Sequence, residues 1–253
     1  MRSNTILTGL TALASFTTAA VLRPRAGSDP GVDLSNASDK EATYFFCNNV
    51  ANGDGTADPG IPCTNMVTKV TVQPSQTASV SLGADFKGRI VRATDMPATW
   101  VEVQIKATDG NAWGDVSLQT GCDGAATVAP TDGDGSSEVG FDKRDVVSGA
   151  PDGAKTTRES DGATVIATPW SVGKIFNQDA VDYLKDKVGV KNAYIDNLSG
   201  TDVATITIMA IQMAMYVNWV TETVPGSHHP LNNDYPYFTE KTYDKPIDFV
   251  ENM

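Results

Sequence analysis

Cysteine is scarce in this sequence. The 253-residue chain has three, Cys47, Cys63 and Cys122. Three cannot build the dense disulfide framework of a small stapled domain, and one must stay unpaired within the chain. Histidine is scarcer still: the two are the adjacent His228 and His229. A Ser-His-Asp triad or a zinc site would have to rest on that one pair, and no suitable ligand spacing accompanies it. There is no phosphate-cradling glycine loop and no nucleophile elbow. No cofactor is therefore implied, and no metal is expected. Basic residues are outnumbered 19 to 31, giving a net charge of −12. Such a surface repels phosphate backbones, which argues against nucleic acid as a partner.

Two loops carry alternating oxygen ligands, Asn52-Gly53-Asp54-Gly55-Thr56-Ala57-Asp58 and Asp132-Gly133-Asp134-Gly135-Ser136-Ser137-Glu138. A calcium loop of EF-hand type needs a glutamate at its twelfth position, where these place Cys63 and Lys143. Surface turns explain them better. A long uncharged run, Val203 to Val220, has the length of a membrane span. Its polar interruptions (Thr205, Thr207, Gln212, Asn218) and β-branched start read instead as one or two buried strands. No membrane partner is expected.

The first twenty residues, MRSNTILTGLTALASFTTAA, have a basic start, an apolar middle and small residues for cleavage. They read as a secretory signal peptide, residues 1–20. A secreted, extracellular or cell-wall protein follows, in an oxidising compartment where disulfides persist. Cys47 and Cys63 flank a Gly/Asp/Pro-rich loop and are the natural pair, which leaves Cys122 as a buried free thiol; the other two pairings stay open. Asn36-Ala37-Ser38 and Asn197-Leu198-Ser199 are N-glycosylation sequons, with Asn36 and Asn197 as acceptors. Residues 21–40 are polar and read as a flexible lead-in. Residues 41–253 read as one domain, and the Asp/Gly/Ser-rich stretch near 130–162 reads as an exposed insertion. Its Lys143-Arg144 pair reads as ordinary loop charge.

Strand patterns recur along that domain: Tyr44 to Cys47, Val67 to Val72, Ala78 to Leu82, Gly88 to Ala93, Ala125 to Val128 and Thr164 to Thr168. One helix is readable over Gln178 to Val188, capped by Asn177 and ended by Gly189. Many short strands and one clear helix predict a mainly β fold, an antiparallel β-sandwich with one or two short helices.

The stretch TWVEVQIKATDGNAWGDVSL, residues 99 to 118, holds acids inside two strand patterns around an Asp-Gly-Asn turn. Alternation groups Val101, Val103 and Ile105 on one face and Trp100, Glu102 and Gln104 on the other. In the second strand Asp115 and Ser117 oppose Val116 and Leu118. Pairing the apolar faces puts Glu102 and Asp115 on one side of the sheet, either directly opposite or diagonal. Like charges so close call for a cation nearby, and Arg89 or Arg92 can supply it. Acids that merely solvate an exposed sheet face are the plain alternative.

GRIVRATD (88–95), TWVEVQI (99–105) and WGDVSLQTG (113–121) resemble, in order, three segments of thaumatin-like proteins. The resemblance covers about residues 78 to 128. It implies a β-sandwich with an acidic cleft, as in a family of which many members bind β-1,3-glucan and some hydrolyse it weakly. By resemblance Arg89, Glu102 and Asp115 match the cleft's Arg, Glu and first Asp. Thr120 stands where the family has a second Asp, and Asp123 is out of register. Asp234 is the candidate for the third. The family's many disulfides are absent. The resemblance thus implies a secreted, monomeric β-glucan or cell-wall polysaccharide binder. Glu102, Asp115 and Arg89 would meet the sugar, with Trp100 or Trp113 stacking on its rings. A weak endo-β-1,3-glucanase with Glu102 and Asp115 as catalytic acids is the alternative, as is a non-catalytic secreted effector or wall-structural protein.

Overall fold

A computed structural model describes residues 30–49, 63, 65–107, 111–131, 138–171, 174–196, 206–208 and 214–220. Residues 1–20, read above as a signal peptide, and Asn197, His228, His229, Asp234 and most of both Asp/Gly loops lie outside the described residues. In chain order the strands are β1 (Gly31–Asn36), β2 (Ala42–Asn48), β3 (Met66–Val72), β4 (Thr77–Ser81), β5 (Lys87–Val91), β6 (Trp100–Gln104), β7 (Ala112–Ser117) and β8 (Ala125–Pro130). Then follow β9 (Val139–Gly140), β10 (Lys155–Thr157), β11 (Thr164–Ile166), β12 (Trp170–Ser171) and β13 (Lys174–Ile175). Helix α1 (Gln178–Lys187), β14 (Ile206–Ile208) and β15 (Ala214–Val220) complete the order.

Two sheets face each other. One runs β4-β1-β15-β8-β9 and the other β14-β7-β6-β5-β2-β3. Neighbours are antiparallel except β1 and β15, which run parallel. The fold is thus mainly β and sandwich-like, as the alternating strands predict. Period-two alternation builds the core directly. Val32 and Leu34 of β1, Val128 of β8 and Trp219 of β15 meet Tyr44 and Phe46 of β2, Ile90 of β5, Val101 and Val103 of β6 and Val116 of β7. All are buried, and each such side chain contributes about 1.5–3 kcal/mol by leaving water.

Helix α1 closes one end of this core with Ala180, Leu184 and Val188. The Asn177 side chain caps it by accepting from the Ala180 N–H at 2.9 Å. Gly189, at φ +88°, ends it in the left-handed conformation that disfavours other residues. The Cys47–Cys63 disulfide forms, closing a separation of 16 residues. In the chain-entropy model such a loop is worth roughly 3 kcal/mol. Cys122 is buried and free. Its thiol donates to the Gly124 carbonyl and accepts from Thr99, and burial pushes its pKa up to about 12, so it stays unreactive.

Three expectations are corrected. Gly31–Asn36, inside the predicted flexible lead-in, is an inner strand between β4 and β15. Its alternating Val32 and Leu34 are wholly buried, and polar neighbours disguised so short a pattern. Within the predicted exposed insertion, residues 138–162 are folded. Val139, Phe141, Val146, Ala150 and Ala154 all enter the main core, because their apolar side chains outweigh the Gly and Asp between them. Asn36 is no glycan acceptor in the folded chain. It is fully buried, and its amide donates to the carbonyls of Lys40 at 2.8 Å and Val72 at 2.9 Å. Its Oδ1 accepts from the Ser38 hydroxyl, so the sequon serine completes a turn instead.

Replacing Asn36 by Ala removes the amide donor to the buried Val72 carbonyl and the acceptor that holds Ser38, and leaves a hole in their place. Urea denaturation is expected to show a loss of about 2–3 kcal/mol, and mass spectrometry of the secreted wild type to find the Asn36 peptide without glycan.

Candidate functional site

The inward side chains of β5, β6 and β7 fix which residues face outward. Arg89 pairs across with Glu102, and Glu102 with Asp115. The directly opposed register is therefore the one realised, with Cβ atoms of such pairs about 5 Å apart. Gln104 stands directly opposite Trp113 in the next outward row. Glycine makes part of this packing possible. A Cβ at Gly88 would lie 2.0 Å from the Cys47 carbonyl oxygen, which only glycine avoids.

The row is brought together but is not an open cleft. Arg89 is 3% exposed, Asp115 1% and Trp100 5%. The Arg89 guanidinium lies over the Trp100 ring at 4.2 Å, a cation–π contact. Trp100 also packs with Cys47, Val91 and Ala98 in a second apolar cluster on this face, with Met96 and Cys63 against it. Trp100 is thus occupied by protein and is not a stacking platform for a ligand. Glu102, Gln104 and Trp113 remain half-buried and reachable.

Burial sets the protonation of the acids. Glu102 is raised from 4.5 to about 7, chiefly because it is withdrawn from water, with Arg89 pulling the other way. Asp115 is raised well above the ordinary carboxylate range by burial and by the Glu102 charge. Its Oδ1 is buried without a hydrogen-bond partner. The geometry suits a pair of carboxyls that carry a proton between them.

The other positions serve the framework. Thr120 is buried, and its hydroxyl donates to the Ala98 carbonyl at 3.0 Å. Asp123 is buried too and gathers several partners. Arg158 Nη1 reaches its Oδ2 at 3.0 Å, Arg92 Nη2 lies at 3.6 Å, and the Thr99 N–H donates to its Oδ1 at 3.2 Å. Arg158 also donates to the Pro97 carbonyl at 3.0 Å and to Asp161. Sequence reading missed this network, because the partners lie far apart in the chain and Arg158 fell in the supposed insertion. Among the described residues no cluster of three metal-ligating side chains occurs, and no helix is long and apolar enough to cross a membrane.

No family model matches the chain, and no curated protein matches its sequence. Among solved structures it is similar to the protein elicitor MoHrip2 from Magnaporthe oryzae, at 14% identity and a TM-score of 0.30. The match covers 44% of this chain and 76% of that one. A likeness of this size carries no argument about function.

Two outcomes are expected. An unfolded Glu102 ionises near 4.5 and the folded one near 7, so the native state holds a proton that unfolding releases between those values. This contribution to stability is complete below about pH 4 and is lost as pH rises through about 7. Comparing wild type with Glu102→Gln by chemical denaturation across that window is expected to show a steeper fall in the wild type than in the variant, where buried Asp115 alone still takes up a proton on folding. Arg89 faces Glu102 in the wild type and is kept in both. Separately, Arg158→Ala leaves the buried Asp123 with Arg92 as its remaining cation. It is expected to cost about 3 kcal/mol in the same assay.

Proposed function

We propose that the chain is a secreted, thaumatin-like protein that binds β-glucan or a related cell-wall polysaccharide without hydrolysing it. The observation that carries this reading is the partly accessible strip of Glu102, Gln104 and Trp113 on the outer face of the six-stranded sheet. A sugar ring presents apolar C–H faces and hydroxyl edges. An indole beside an amide and a carboxyl offers a matching flat surface with donors and acceptors. The disulfide fits an oxidising, extracellular setting. The order of the three sequence segments resembling thaumatin-like proteins supports the choice of ligand class.

Hydrolysis needs two carboxyls flanking the scissile bond, one of them with a raised pKa. Glu102 meets the second condition. Asp115, its only acidic partner in the row, is 1% exposed and out of reach of a glycosidic oxygen. Binding is therefore favoured over catalysis. Burial of Arg89, Trp100 and Asp115 also favours a second reading, in which the row is a structural element of a non-catalytic effector or wall protein.

A pull-down on insoluble β-1,3-glucan separates these. Retention of the wild type, weakened about tenfold or more by Trp113→Ala and less by Glu102→Gln, is the expected result. Equal retention of Trp113→Ala, or no retention of the wild type, defeats the binding reading. Reducing-sugar release from laminarin is expected to match that of a Glu102→Gln control.

A further inference from the structure

Away from the Glu102 row, a groove of about 390 Å³ opens between the Met96–Pro97 turn, β10 and the chain that enters α1. Its size falls within the range of small-molecule sites. Its walls are held by buried chemistry and not by surface contact alone. Arg158, 4% exposed, sits behind it and ties the β10 side to the Pro97 carbonyl and to Asp123. The Ser160 hydroxyl donates to Asp95 at 2.5 Å across the same junction. Gly121, at φ +113°, lets the next turn tuck under Pro97, where a Cβ would lie 2.3 Å from the Pro97 Cβ.

The lining side chains divide into two groups. Thr168 and Asn177 are committed internally: the Thr168 hydroxyl donates to the Thr120 carbonyl at 3.2 Å, and the Asn177 amide donates to the Gly153 carbonyl at 3.0 Å. Thr156, Thr157 and Glu159 are exposed and line the groove. Phe176 completes it and is 56% exposed. Among the described residues no Lys, Arg or His lines the groove, and the chain's charge is −12, so an anionic ligand is disfavoured. A groove lined by an aromatic ring, hydroxyl-bearing residues and a carboxyl group suits a neutral polyhydroxylated ring.

We infer that this groove binds a neutral saccharide unit, stacked on Phe176 and hydrogen-bonded by Thr156, Thr157 and Glu159. It shares no residue with the Glu102–Gln104–Trp113 strip, and it stands or falls separately from that strip's proposed role. The test is ¹⁵N-resolved NMR titration of the full chain with laminaritetraose, cellotetraose and chitotetraose, each on wild type, Phe176→Ala, Thr157→Val and Trp113→Ala. Circular dichroism checks that each surface variant folds. At least one sugar is expected to shift the amides of Thr156, Thr157 and Phe176. Those shifts persist in Trp113→Ala, require about tenfold more sugar in Phe176→Ala, and weaken in Thr157→Val. Absence of shifts at these amides with all three sugars, or an unchanged titration in Phe176→Ala, overturns the inference. Shifts confined to the strip would leave the strip's role standing and remove this one.

Discussion

The inward burial of Ile90, Val101, Val103 and Val116 is the constraint on which the outer face depends. A strand's side chains alternate, so fixing the inner set leaves no choice about the outer set. Arg89, Glu102 and Asp115 become one row because their neighbours must leave water. The apolar residues provide the energy, and the polar row bears the electrostatic consequence.

Two buried acids show how differently that consequence is met. Asp123 is neutralised by two guanidinium groups and a backbone N–H, so its charge is supported inside the protein. Asp115 faces Glu102 and has an oxygen with no donor. The first acid is held by ion pairs; for the second, burial and the neighbouring Glu102 favour the protonated form. The arginine network also fixes the loop that carries Met96 and Pro97, so a framework interaction shapes both the cover over Trp100 and the groove beside it.

Much of this was legible in the residues themselves. Alternation located most strands, and Asn177 and Gly189 bounded the helix, because those signals are local. The phase of Glu102 and Asp115 was readable too, while the register was open between two choices that the turn and neighbouring strands decide. What escaped was long-range. Gly31–Asn36 is too short to announce a buried strand, and it becomes one by lying between β4 and β15. Arg158 finds Asp123 and the Pro97 carbonyl 35 and 61 residues away, and no local pattern encodes that meeting. The burial of Trp100 and Arg89 likewise arises from a covering loop, so the row was readable but its inaccessibility was not.

The parallel pairing of β1 with β15 joins the first described strand to the last, in the middle of a sheet. Until residues near 220 leave the ribosome, β1 and β8 each lack their shared neighbour, and Trp219 is missing from between Tyr44 and Arg92. Closing so long a span of chain is slow and entropically costly before the contacts form. This sheet therefore cannot be completed until residues near 220 are available, however early β1 and β8 are made.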